Sequence, residues 1–318
     1  MWNSQITDKL SWTNAARVDY QKLKETGTLA SGVFYVPSDY SHDITAFTAN
    51  SDIVYKATDH DSFRAGYGRG VQFPSFLQYG FAQVYAFGFP SPAAAAAANL
   101  SDPTMGLVVD YEGNPSLKPT YVQDYSADYD RKVDEIFSHV KVSLFYELNQ
   151  DLVESFIGST QTFQFNGNPI TVFTPGNVGN SKAWGGEIEI KGSHPSGFRW
   201  DASYSYSHVV DSSAVQYNLD YEGSAPMHHF RLLLGYTTGN WEFDANGQLV
   251  TSTDMLRGPA FVPTPNDGYQ SLSARIGYRI NDHLTFAVSG FNLNSNVQNV
   301  SPYPGVERQI FASITGKF

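Results

Sequence analysis

The chain has 318 residues, enough for two average domains or one large β architecture. Its 27 Gly, 20 Tyr, 22 Phe and 5 Trp favour strands and turns, and the absence of Cys removes disulfides, thiolate metal sites and Cys nucleophiles. A net charge of −11 argues against nucleic acid, and no run approaches the apolar length of a membrane-spanning helix. A transmembrane β-barrel stays open, because alternating strands hide from a mean hydropathy of −0.31.

Met1-Trp2-Asn3-Ser4 leads straight into a strand-like pattern, without a basic n-region or an apolar h-region. Residues 7–22 alternate Leu10, Trp12, Asn14, Ala16, Val18 and Tyr20 against Ser11, Thr13, Arg17 and Asp19. After a Gly/Ser/Pro-rich loop, a second strand over 44–56 sets Phe47, Ala49, Ile53 and Tyr55 on one face. The short turn 57–61 leads into a third, with Phe63, Ala65 and Tyr67 against Arg64, Gly66 and Gly68, stopped by Pro74. Residues 75–120 read as a long irregular region whose alanine run, Ala93 to Ala98, is expected to be a short loop helix.

Further strands are expected over 121–132, 137–149, 184–192, 198–209, 229–238, 241–250, 269–280, 284–293 and 307–318, about twelve in all. Short connections (57–61, 133–136, 193–197, 238–240, 281–283) alternate with long ones (23–43, 75–120, 150–183, 210–227, 251–268, 294–306). That regularity is what an antiparallel up-and-down barrel requires, with turns on one side of a membrane and loops on the other. A Greek-key sandwich does not produce it.

The last stretch carries most weight. Ile310, Ala312, Ile314 and Gly316 alternate with Gln309, Ser313, Thr315 and Lys317, with Phe311 as the one exception, and the chain ends on Phe318. A closing strand that meets lipid on one side and ends at an aromatic girdle has this form. It resembles the C-terminal assembly signal of bacterial outer-membrane barrels.

Four internal stretches resemble TonB-dependent outer-membrane receptors. Residues 63–75 resemble a strand ending in an aromatic-rich Pro-Ser stop. Asn114-Pro115-Ser116-Leu117-Lys118-Pro119 is similar to the family's N-P-x-L-K-P-E box, with Thr120 in place of the acid. Asn177-Val178-Gly179-Asn180, followed by Gly186-Glu187-Ile188-Glu189, resembles its N-x-G and G-x-E-x-E pair, and Asn292-Leu293-Asn294 its penultimate-strand motif. The resemblance implies the C-terminal half of a barrel of about 22 strands. The plug domain, the energy-coupling box and about ten strands would then lie outside this chain, which also accounts for the missing secretory signal. Implied partners are the outer membrane, the barrel assembly machinery and, through the plug, the TonB complex.

Glu187, Glu189 and Lys191 share the polar face of one strand, and Arg275 and Arg279 repeat the pattern on another; with Arg64 they are expected to face the barrel lumen. His228-His229 invites a metal, but adjacent strand residues point to opposite faces, and no metal or cofactor is expected. The same geometry argues against Ser207-His208 as the pair of a lipid hydrolase, and no catalytic residue is expected. Ligand contacts are expected from the loop aromatics Phe76, Tyr79, Phe81, Tyr85, Phe87 and Phe89, which can stack on rings or sugar faces or form the loop's own core. Residues 61–138 contain no His, and only Asp102, Asp110 and Glu112 are charged between Pro74 and Asn114. The expected function is therefore uptake of a ferric siderophore, cobalamin or oligosaccharide rather than haem; the alternative is a self-contained passive pore or adhesin.

Overall fold

The computed structural model describes all residues except 25, 28–36, 81, 88–106, 166–167, 213–221, 258–261, 301–304 and 318. In chain order its strands are β1 (Trp2–Thr7), β2 (Leu10–Leu23), β3 (His42–Lys56), β4 (Asp61–Gln72), β5 (Ala82–Phe87), β6 (Leu107–Glu112), β7 (Thr120–Val133), β8 (Ser138–Phe165), β9 (Asn168–Ser193) and β10 (Phe198–Asp211). They continue as β11 (His228–Thr238), β12 (Trp241–Val250), β13 (Thr253–Arg257), β14 (Val262–Asn266), β15 (Tyr269–Asn281), β16 (Leu284–Phe291), β17 (Val297–Gln298), β18 (Val306–Glu307) and β19 (Gln309–Gly316). The one α-helix among the described residues, α1, is Phe76–Gly80.

Thirteen strands form one antiparallel path, β1-β2-β3-β4-β7-β8-β9-β10-β11-β12-β15-β16-β19, which keeps chain order, with β5–β6, β13–β14 and β17–β18 as excursions between paired strands. Strands β1 and β19 pair on one side only, so the sheet is open. All twelve expected strands are present. The thirteenth, β1, precedes the expected strand 7–22: the chain turns at Asp8-Lys9, and Trp2–Thr7 runs back along β2 with Trp2 opposite Asn14.

Two long connections differ from expectation. The stretch 75–120 contains α1 and the β5–β6 hairpin, and β6 also pairs in parallel with β9. The stretch 150–183 is not a loop; β8 and β9 continue as one tall hairpin of 28 and 26 residues. Register shifts beyond Asn149 break the period of two there, and that hid the strands from a pattern search. The alanine run lies outside the described residues.

Cross-strand register extends each strand's alternation across the sheet. Directly opposed residues in the row Phe198, Tyr236, Phe243, Ile276, Val288, Ala312 are apolar. One residue along, the row is Arg199, Gly235, Asp244, Arg275, Ser289, with Phe311 at its end. The apolar face is uncovered: Ile276 is 49 % exposed and Ile314 69 %. Water would not tolerate an aliphatic and aromatic face of this extent, whereas a bilayer is its natural solvent.

The six short turns lie at one rim, and a backbone bond ties each of the first five to the hairpin that follows and the sixth to the residue after β19. Lys56 N–H donates to the Lys9 carbonyl, Lys132 to His60, Ser193 to Phe137, Thr237 to Gly197, Arg279 to Asn240 and Lys317 to His283. Lys317, after the end of β19, therefore lies at the short-turn rim. At the opposite rim a small core of Leu23, Tyr79 and Leu117, with Ile44 and Val153 against it, holds the 73–119 connection onto the sheet.

Candidate functional site

The polar face carries a ladder of charge across β10, β12 and β15. Arg199 Nη2 donates to Asp244 Oδ1 at 2.9 Å, Arg275 Nη1 to Asp244 Oδ2 at 3.4 Å and Glu242 Oε2 at 3.0 Å, and Arg279 Nη2 to Glu242 Oε1 at 3.3 Å. Arg199 spans β11 to reach its partner. It can do so because Gly235 lies between them: a Cβ there would sit 2.8 Å from the guanidinium. A second network joins Arg64 to Asp52 at 2.7 Å and Lys141 to Asp128 at 3.6 Å, with Ser143 Oγ donating to Asp128 at 2.6 Å.

The expected charges thus fall on one face, but in separate clusters. Arg275 and Arg279 share the ladder, while Arg64 stands in the other network. Glu187, Glu189 and Lys191 sit opposite Ser143, Lys141 and His139 and make no ion pair among the described residues. Sequence reading missed Arg199, Glu242 and Asp244. The last two stand at i, i+2 in β12, a parity signal that was available, but their pairing with Arg199 depends on register across an intervening strand.

The long-loop rim is held by the motif residues. Asn177 Oδ1 accepts from Lys118 N–H at 2.9 Å, and its Nδ2 donates to the carbonyls of Lys118 at 3.1 Å and Asp151 at 2.8 Å. Asn114 accepts from Ser116 N–H through Oδ1 and donates to the Pro175 carbonyl at 3.1 Å. Asn294 substitutes for a strand backbone: Oδ1 accepts from Leu272 N–H at 2.8 Å and Nδ2 donates to the Gln270 carbonyl at 2.8 Å. The asparagines that carried the sequence resemblance are therefore clamps between loop bases and strand ends.

Of the loop aromatics, Tyr79 is 3 % exposed, packed against Leu117 and edge-on to His42, with its hydroxyl 3.5 Å from the Leu117 carbonyl. Burial pushes its phenol pKa up to about 12. Gly113 lets its segment press on α1, because a Cβ there would collide with the Tyr79 carbonyl. Phe76 is 76 % exposed at the start of α1. Tyr85 and Phe87 lie in β5, opposite Val109 and Leu107; Phe81 and Phe89 lie outside the described residues. A groove of about 410 Å³ opens beside this core, lined by Asp39, His42, Ile44 and residues 115–119. His228 and His229 diverge as expected, with His228 Nδ1 2.8 Å from Tyr204 Oη. Ser207 and His208 also separate, His208 lying edge-on to Trp184.

The sequence profile of the TonB dependent receptor-like β-barrel family matches residues 1–299. The chain belongs to this family. Like its family, this TonB-dependent receptor barrel resides in the outer membrane of Gram-negative bacteria. Similar solved structures include the siderophore receptor PirA from Acinetobacter baumannii, at 14 % identity and a TM-score of 0.70 over 99 % of this chain and 44 % of that one. The ferric enterobactin receptor PfeA from Pseudomonas aeruginosa aligns with a TM-score of 0.70 at 12 % identity, again over 99 % and 44 %. The ferric-catecholate import receptor Fiu from E. coli gives 0.63 at 17 % identity, over 99 % and 43 %. The receptor barrel described here thus spans less than half the length of these structures. No match is found among curated proteins.

Proposed function

We propose that this chain is the C-terminal part of the barrel of a receptor that imports a scarce nutrient, with a ferric siderophore as the first choice. The observation that carries this reading is the correspondence of 99 % of the chain to barrels described as siderophore, ferric enterobactin and ferric-catecholate receptors. The open sheet favours it over a self-contained pore, since β1 and β19 do not meet. The charged face, with Arg64, Glu187, Glu189, Lys191, Arg275 and Arg279, lines the lumen on this reading, because barrel interiors are polar and lipid-facing surfaces apolar. The plug and the remaining strands lie outside this chain. Energy reaches the receptor from the TonB complex through that plug, and the chain does no covalent chemistry.

Among the loop aromatics whose side chains are described, Phe76 is exposed and would be the one to meet a ligand, while Tyr79 supports the groove beside it. The terminal strand, Ile310 to Gly316 with Phe318, engages the barrel assembly machinery. In a strain lacking other iron receptors, the full-length receptor that contains this chain should restore growth on a ferric catecholate and lose that ability without energy coupling. Growth on haem as sole iron source would overturn the ligand choice, and uptake without energy coupling would support a passive pore.

A further inference from the structure

The net charge of −11 is not spread evenly over the chain. The six long connections, 23–43, 75–120, 150–183, 210–227, 251–268 and 294–306, hold thirteen acids against four Lys and Arg, a balance of −9. That leaves only −2 for the rest of the strands and the short turns. Four cations can neutralise at most four of the thirteen acids, so the long-loop side stays negative however its side chains pair. Asp39, Asp43, Asp254 and Asp267 are exposed there. A field of one sign draws in opposite charge and repels its own.

The same side carries a sheet with open edges. The neighbours of the tall hairpin stop early: β7 last pairs at Tyr121 with Gln150, and β10 at Asp211 with Ser181. Beyond them β8 and β9 continue and take on β6 and β5, so that a four-stranded sheet, β5-β6-β9-β8, stands above the barrel wall. Neither outer edge has a strand partner among the described residues. Unpaired edge amides and carbonyls are a template for another chain, and proteins guard them with charge, proline or bulges. The β8 edge is guarded, because register shifts interrupt it between Asn149 and Thr162. The β5 edge is not. Ala82–Phe87 pairs with β6 in unbroken register, and its sequence A-Q-V-Y-A-F holds neither a charge nor a proline.

We propose that β5 receives an extended, cationic segment of another protein as an added strand, steered there by the acidic long-loop side. Main-chain bonds to the edge supply the hold, which any extended chain can make; the field decides which chain arrives. A second copy of this chain fits poorly, because it brings the same −9 against its twin. The partner is a polypeptide distinct from the imported nutrient, and its binding is read without uptake.

The test uses the full-length receptor that contains this chain, in detergent, with short fluorescent peptides of alternating Lys-Val, of alternating Glu-Val, and of Lys-Val with every second backbone nitrogen methylated. The Lys-Val peptide should associate at least about tenfold faster than Glu-Val. It should lose that advantage as salt rises from about 0.1 to about 1 M, where screening shortens from about 10 to about 3 Å. Methylation should weaken binding about tenfold, the loss of two ladder hydrogen bonds. Bound Lys-Val should slow amide exchange in Ala82–Phe87 and leave β8 unchanged. Asp254→Asn and Asp267→Asn should each slow association about twofold, whereas Asp282→Asn in the last short turn should not. Equal association of the Lys and Glu peptides would overturn the proposal, as would full affinity of the methylated peptide or protection confined to other strands. Receptor dimers that protect β5 without any peptide would also overturn it, by giving the edge to a second copy. The salt, methylation and exchange measurements need no variant to fold.

Discussion

Replacing Asn177 by Ala removes one acceptor and two donations, those to Lys118 N–H, the Lys118 carbonyl and the Asp151 carbonyl at 2.9, 3.1 and 2.8 Å. Each neutral hydrogen bond contributes about 0.5–1.5 kcal/mol net. Lys118 is solvent-exposed, so water recovers part of the loss, and the lower half of that range is appropriate. The expected cost is about 2 kcal/mol, confined to the base of the 73–119 connection. Local opening should rise about 30-fold, because each 1.4 kcal/mol is a factor of ten. The readout is amide hydrogen exchange at Lys118. The Arg279 amide, bonded to the Asn240 carbonyl at the other rim, is the internal control. Faster exchange at Lys118 with Arg279 unchanged supports a clamp. Exchange at Lys118 within about threefold of wild type would falsify the assignment of Asn177 as the residue that holds the motif box, given the bond energies above.

Two further expectations concern the faces and the short-turn rim. Arg in place of Ile276, which stands on the apolar face between Phe243 and Val288, should cost about 2–4 kcal/mol in urea unfolding from liposomes if it lies near mid-bilayer. Arg at neighbouring Ser273 should be tolerated; equal costs at the two sites would mean the faces are misassigned. In the turn that follows β7, Asp134 is held below its ordinary pKa of 3.8, first by its hydrogen bond with Lys132 and then by that with His60. A depressed carboxylate stabilises the fold above the unfolded pKa and loses that contribution as pH falls through the folded value. Protection of the Phe137 amide, which donates to the Asp134 carbonyl, should therefore drop below about pH 4 in wild type. The Asp134→Asn variant should lack this pH step; an identical step in both would remove Asp134 from the explanation.

Most of the sheet was legible because a half-exposed strand must alternate, and the alternation survives wherever register is regular. Leu232, Leu234 and Tyr236 needed no partner to be recognised. What failed was local. Bulges in the β8–β9 hairpin broke the period after Asn149, and a two-residue turn at Asp8-Lys9 was absorbed into a longer strand. The candidate site was less legible for a physical reason. Whether Tyr79 faces a ligand or a core depends on Leu23 and Leu117, far away in sequence, and the Arg199–Asp244 bond depends on a glycine in the strand between them. The asparagine boxes were recognised by likeness, but their role as clamps appeared only when both ends of each bond were in place.

The bonds along the short-turn rim have a direction: at every junction the residue later in the chain donates and the earlier turn accepts. The joint is the same N–H to carbonyl contact each time, whichever side chains flank it, so the units overlap like roof tiles laid from one eave. A whole two-stranded tile could be lost or duplicated and the row would still close over the gap with the same fastening. Girth is thus a quantity that can change in steps of two strands, while a single-strand change would leave one turn on the wrong side of the membrane.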